Sequence, residues 1–120
     1  MRRRRRPRIS PGRIEAVLDG TAVPDFDELL EMIRSVNPTR MGLSAGDRAQ
    51  RYAVKALLQS LLIERYYEDI AIFPTTRSGV VGLRRKAGRG DACHAVVNHL
   101  DPEARELVDR GLTEQQPDDG

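Results

Sequence analysis

Apolar residues recur along this chain at two different spacings, and the change between them divides it. Phe26, Leu29, Leu30 and Ile33 occupy the i, i+3, i+4, i+7 positions, with Val36 continuing the row. That is the repeat of a single buried stripe on an α-helix. Asp25, with Glu28 three residues on, starts this helix as a capping box, and Asn37 and Pro38 end it. Upstream, Ser10 can cap and Pro11 suits a first helical position. Ile9 can staple to Ile14 and Gly20 stops the run, which predicts a helix over 11–19. After a loop over 37–43, Ser44 caps a third helix that runs to about Tyr67, with Asp47 in its first turn. At about 100° per residue, Ala49, Ala53, Ala56 and Ser60 fall on one narrow stripe of this helix. Val54, Leu57, Leu58 and Leu61 sit on the adjoining side, and Arg48, Arg51, Lys55 and Gln59 share a third face. A helix apolar around most of its girth is the central helix of a fold, or one half of a homodimer interface.

The period then shortens. Residues 70–73 read as a strand closed by Pro74, residues 75–79 as a turn, and residues 80–83 as the return strand. Arg84, Arg85 and Lys86 follow directly. Asp91 is placed to cap a short helix over 92–99, and Asp101-Pro102-Glu103 to start a last helix that Gly111 ends. The expected fold class is mainly α: a small helical domain around a long central helix, with one β-hairpin at about 70–86. Its expected core is Phe26, Leu29, Leu30, Ile33, Ala53, Leu57, Leu61 and Ile72. A domain over 9–112 would then lie between a disordered basic arm, 1–8, and a disordered acidic tail, 113–120.

Charge sharpens this picture more than composition does. The net charge of the 120 residues is only +2, but residues 1–13 carry +7, residues 14–100 are neutral, and residues 101–120 carry −5. Blocks of like charge repel themselves and commonly serve as interaction tails. Arginine outnumbers lysine 18 to 2. The guanidinium fork grips phosphate better than an ammonium does. GC-rich coding raises the same ratio without any function, so the ratio alone assigns no role. The apolar run 57–63 is broken by Gln59 and Ser60, far short of the roughly 20 residues that span a membrane. The basic start is followed by no apolar run of the kind an export signal needs, and Cys93 is the single cysteine, so a reducing, cytoplasmic address is expected.

Candidate chemistry is sparse. Cys93, His94 and His99 are near in sequence, but on a helix over 92–99 His99 would diverge from the other two by about 120–140°. No Cys-x2-Cys or His-x3-His spacing is present. Gly79, Gly82, Gly88 and Gly90 fit neither phosphate-loop pattern. Glu64 and Glu68 share a helix face, which on an amphipathic helix is ordinarily a solvated edge. Neither a catalytic centre, a cofactor nor a metal is expected from these residues.

The basic clusters remain. The arm holds Arg2, Arg3, Arg4, Arg5, Arg6 and Arg8, and residues 77–89 hold Arg77, Arg84, Arg85, Lys86 and Arg89 with no acid. Helices followed by a hairpin with a basic end follow the order of a winged helix-turn-helix. In that arrangement Arg48, Arg51 and Lys55 of the long helix would face a groove and the hairpin would be the wing. The long connection over 37–43 and the apolar girth of the third helix depart from that pattern. These fourteen residues are the candidate nucleic-acid contacts of a non-enzymatic accessory protein that grips DNA or RNA phosphates. The alternative is a protein-interaction subunit, docking a partner or a second copy through the central helix, with the arm only a solubilising tail.

Overall fold

The computed structural model describes residues 10–86 and 92–115. Helix α1 (Pro11–Asp19) is capped by Ser10, whose hydroxyl oxygen accepts from the Arg13 N–H at 3.2 Å. It ends at Gly20, where φ is +83°, a left-handed conformation that favours glycine. The staple partner Ile9 lies outside the described residues. Helix α2 (Phe26–Ser35) is capped by Asp25, whose carboxylate accepts from the Glu28 N–H at 2.8 Å. The return half of the expected capping box is replaced. The Glu28 carboxylate instead takes a two-pronged contact from Arg13, at 2.6 and 2.8 Å, which ties α1 to α2.

Helix α3 (Ala45–Tyr66) is capped by Ser44 as expected and continues into a 3-10 turn, Tyr67–Asp69. A three-stranded antiparallel sheet follows in the order β1-β2-β3: β1 (Ile70–Pro74), β2 (Val80–Arg85) and β3 (Cys93–Val96). A second 3-10 turn, Val97–His99, leads into α4 (Pro102–Gln115). The described chain is thus mainly helical, with a small sheet rather than a lone hairpin. Helices α2, α3 and α4 cover one face of that sheet. Ile70, Ile72, Val81, Leu83, Cys93 and Ala95 alternate onto this face, and all six are buried.

The expected helix over 92–99 is therefore wrong. Its first half is β3, whose four residues are too few for apolar spacing to separate strand from helix. What decides is tertiary: β2 has an unpaired edge, and Leu83, Gly82, Val81 and Val80 pair with Cys93, His94, Ala95 and Val96. The expected stop at Gly111 is also wrong, since α4 runs through it. A Cβ at Gly111 would stand 2.7 Å from Ile72 Cδ1, so glycine there lets α4 lie close against β1. Helix α4 is fixed at both ends. The Asp101 N–H donates to the Ser60 hydroxyl at 3.1 Å, and the Tyr67 hydroxyl donates to Glu114 at 2.8 Å.

Helix α3 is turned from the expected orientation. Phe26, Leu29, Leu30, Ile33 and Ile72 are buried as expected, but Ala53 is exposed, Leu57 is 52% exposed and Leu61 is only half-buried. The residues actually buried are Ala56, Leu58, Gln59, Ser60, Leu62 and Ile63. Gln59 explains the rotation. Its amide donates to the His94 carbonyl at 2.7 Å, on the edge of β3 that no strand pairs. Two residues earlier on the same edge, the Ala92 carbonyl accepts from Arg34 of α2 at 3.3 Å. The free edge of β3 is thus blunted by side chains from two helices. That need draws the face holding Arg51, Lys55 and Gln59 toward the sheet.

Candidate nucleic-acid interface

The structure brings some of the basic residues together and separates others. Arg48 is exposed on the first turns of α3, where residues 44–50 all face solvent. Three residues on, Arg51 is half-buried and donates to the Asn37 carbonyl at 3.2 Å. Lys55, one turn further, approaches the start of β3. There its charge and that of Arg34 act on Cys93, against the burial that pushes the thiol up to about 11. Arg84, on β2, lies across from Ala92 when the β2–β3 register is continued by one residue, but its side chain is on the face turned away from the helices, with its guanidinium carbon 5.3 Å from the Phe73 ring centre of β1. Arg34 and Lys55, from two helices, therefore meet at the beginning of β3, while Arg51 sits nearby against the loop after α2. Sequence reading missed Arg34, because nothing in the stripe of α2 indicates that its last turn meets β3.

The hairpin cluster does not stay whole. Arg77 is exposed in the turn, where its N–H donates to the Thr75 hydroxyl at 3.2 Å. Arg84, Arg85 and Lys86 lie at the opposite end of the same hairpin, since residue 85 pairs with residue 70. The five steps of strand from Val80 to Arg85 put roughly 17 Å between the two ends. Arg85 is committed elsewhere: it bonds Asp27 at 2.6 Å and its guanidinium carbon stands 4.6 Å from the Phe26 ring centre. Phe26 in turn meets Tyr66 edge-to-face at 5.4 Å. These three residues, with Glu68, Asp69 and Lys86, line an open cleft of about 460 Å³ that mixes both signs of charge. Such a lining does not select for anions. Lys86 is exposed, and its N–H donates to the Asp69 carbonyl at 2.9 Å. Arg2, Arg3, Arg4, Arg5, Arg6, Arg8 and Arg89 lie outside the described residues. Arg13, part of the basic start, is held by Glu28, which raises the Arg13 pKa and lowers that of Glu28.

The orientation of α3 also bears on groove reading. Arg51, Lys55 and Gln59 turn toward β3 and the end of α2, so of that face only Arg48 stands fully exposed. Cys93 points into the core while its neighbour His94 points to the other side of the sheet. His99 stacks on Tyr52 with ring centres 6.0 Å apart. The three residues do not converge. Among the described residues no group of three or more His, Cys, Asp or Glu side chains is placed to hold a metal ion. No described helix is long and apolar enough to cross a membrane. Comparison with protein-family models, curated proteins and solved structures gives no match.

Proposed function

We propose that this protein is a non-enzymatic accessory protein that binds nucleic acid through phosphate contacts. The observation that carries the reading is that Lys55 and Arg34, from separate helices, both act on the start of β3, with Arg51 half-buried and Arg48 exposed along the same face of α3. Cations from separate elements that share one region repel each other, and a polyanion relieves that repulsion while releasing its counterions. The arm, Arg2 to Arg6 and Arg8, adds sequence-independent affinity, because phosphate contacts position a protein without reading bases. The hairpin is not required as a wing in this reading. A titration of the full chain against DNA and RNA between about 50 and 200 mM salt tests it. Affinity should fall steeply and linearly on a log–log plot. A chain that binds neither nucleic acid at the lower salt overturns the reading.

One observation favours the rival, an interaction subunit. Ala49, Ala53 and Leu57 form an exposed small-residue and apolar strip on α3. A second copy or a protein partner would cover it. Sedimentation of the chain alone at rising concentration distinguishes the two: a strip that mediates self-association gives a concentration-dependent dimer.

A further inference from the structure

The sheet has a second face, turned away from the helices. Its side chains are Ala71, Phe73, Val80, Arg84, His94 and Val96, with Gly82 in the central strand. A Cβ at Gly82 would overlap the Phe73 ring, so the ring reaches from β1 across the bare backbone of β2. Arg84 is two residues from Gly82 on the same face, with its guanidinium carbon 5.3 Å from the Phe73 ring centre. His94 is exposed and pairs directly with Gly82 from the other side. Phe73 itself is only half-buried, whereas the neighbouring Ile72 is 1% exposed on the core face. An aromatic ring, a guanidinium and an imidazole therefore share one open surface. The three strands contain no Asp or Glu.

We propose that this face is a stacking platform for single-stranded nucleic acid, with a base against Phe73 and the adjoining phosphate on Arg84. The proposal deepens the phosphate-binding reading and rests on it. A single strand offers the π-faces of its bases, and any base can stack on an aromatic ring regardless of sequence. A duplex keeps those faces stacked on each other. Arg84 serves both halves of such a ligand: it can stay over the ring as a cation–π partner, or turn its planar fork to a phosphate. His94, beside Gly82, gives the strand a second ring within reach. Gly82 is the residue that keeps the platform low, because any side chain there would displace the ring.

The test uses the full chain, a labelled oligothymidylate, an oligouridylate and a duplex of equal length, read by fluorescence anisotropy. Phe73→Leu keeps an apolar group over Gly82 but removes the π-face, and Phe73→Tyr restores it. Thermal melting confirms that both variants fold. Phe73→Leu should weaken single-strand binding by about five- to a hundred-fold, leave duplex binding nearly unchanged, and be rescued by Phe73→Tyr. The salt slope should not move, since stacking neutralises no phosphate. If Phe73→Leu and the native chain bind single strands equally while binding stays salt-sensitive, the platform is wrong and the phosphate reading stands. If the native chain binds none of the three ligands, the phosphate reading falls and the platform falls with it.

Discussion

Leu57 and Leu58 are adjacent, both leucine, and energetically unlike. Leu58 has no exposed surface in the hydrophobic core, whereas Leu57 is 52% exposed. Truncating a fully packed leucine removes its transfer energy and leaves a cavity. Leu58→Ala should cost about 2–5 kcal/mol in a denaturant titration, and Leu57→Ala about half a kcal/mol or less. A large loss at Leu57 would mean that a partner or second copy covers it. The apolar count along α3 could not reveal this difference, because hydrophobic spacing gives a helix its stripe but not the element that stripe faces. The information sat in Gln59, a polar residue whose spacing put it with Arg48, Arg51 and Lys55. Its place is decided by a carbonyl 35 residues away. Cys93 was legible for a different reason: apolar neighbours imply burial on a strand as well as on a helix. Its thiol is pushed up to about 11, chiefly by burial. Thiol reagents should therefore label native Cys93 slowly at neutral pH and unfolded Cys93 quickly. Because the folded value is raised, stability from this group is intact below about 9 and is lost between about 9 and 11, at up to about 1.4 kcal/mol per pH unit.

At the level of elements, capping chemistry was the most readable signal. Ser10, Asp25 and Ser44 all cap as their types and spacing imply. The pairing of β1 with β2 followed from alternation and a glycine-containing turn, where Gly79 takes φ +77°. The unreadable elements were those fixed from outside themselves. β3 exists because β2 has an edge to pair, and α4 continues through Gly111 because Ile72 needs the space. The junction of α3 with α4 adds a pH dependence that neither helix shows alone. Glu64 is held up to about 7, first by burial and then by its hydrogen bond to Asp101 and the charges of Asp101 and Glu103. The Asp101 carboxylate already accepts from the Ala104 N–H at 2.8 Å as the cap of α4. A raised carboxyl stabilises the fold while it is protonated. The contribution is complete below the ordinary glutamate value and is lost as pH rises through about 7. Native protein should thus melt higher near pH 5 than near pH 8 by this group's share, and Glu64→Gln should flatten that part of the profile. An unchanged profile in the variant would remove Glu64 from the account.

For the whole molecule, net charge conceals how the cations are used. The described structure splits them into two kinds. Arg13 and Arg85 are bound to Glu28 and Asp27, and Arg85 also rests on Phe26. Arg48, Arg77, Arg84 and Lys86 are exposed, and Arg51 and Lys55 are half-buried on the side facing β3. This division makes the binding reading quantitative, because each phosphate neutralised on duplex DNA contributes about −0.9 to the log–log salt slope. Deleting residues 1–8 should remove about five units, from six arginines. Replacing Arg48, Arg51 and Lys55 together by Ala should remove up to about three more. Arg85→Ala is the discriminating control. A simple count of charge predicts the loss of about one unit, but its guanidinium is already taken, so the slope should barely change. The loss should fall instead on stability, through the severed contact with Asp27 and the uncovered Phe26 ring. A full unit of slope lost at Arg85, with the melting temperature unmoved, would show that bulk charge rather than placed cations drives the binding.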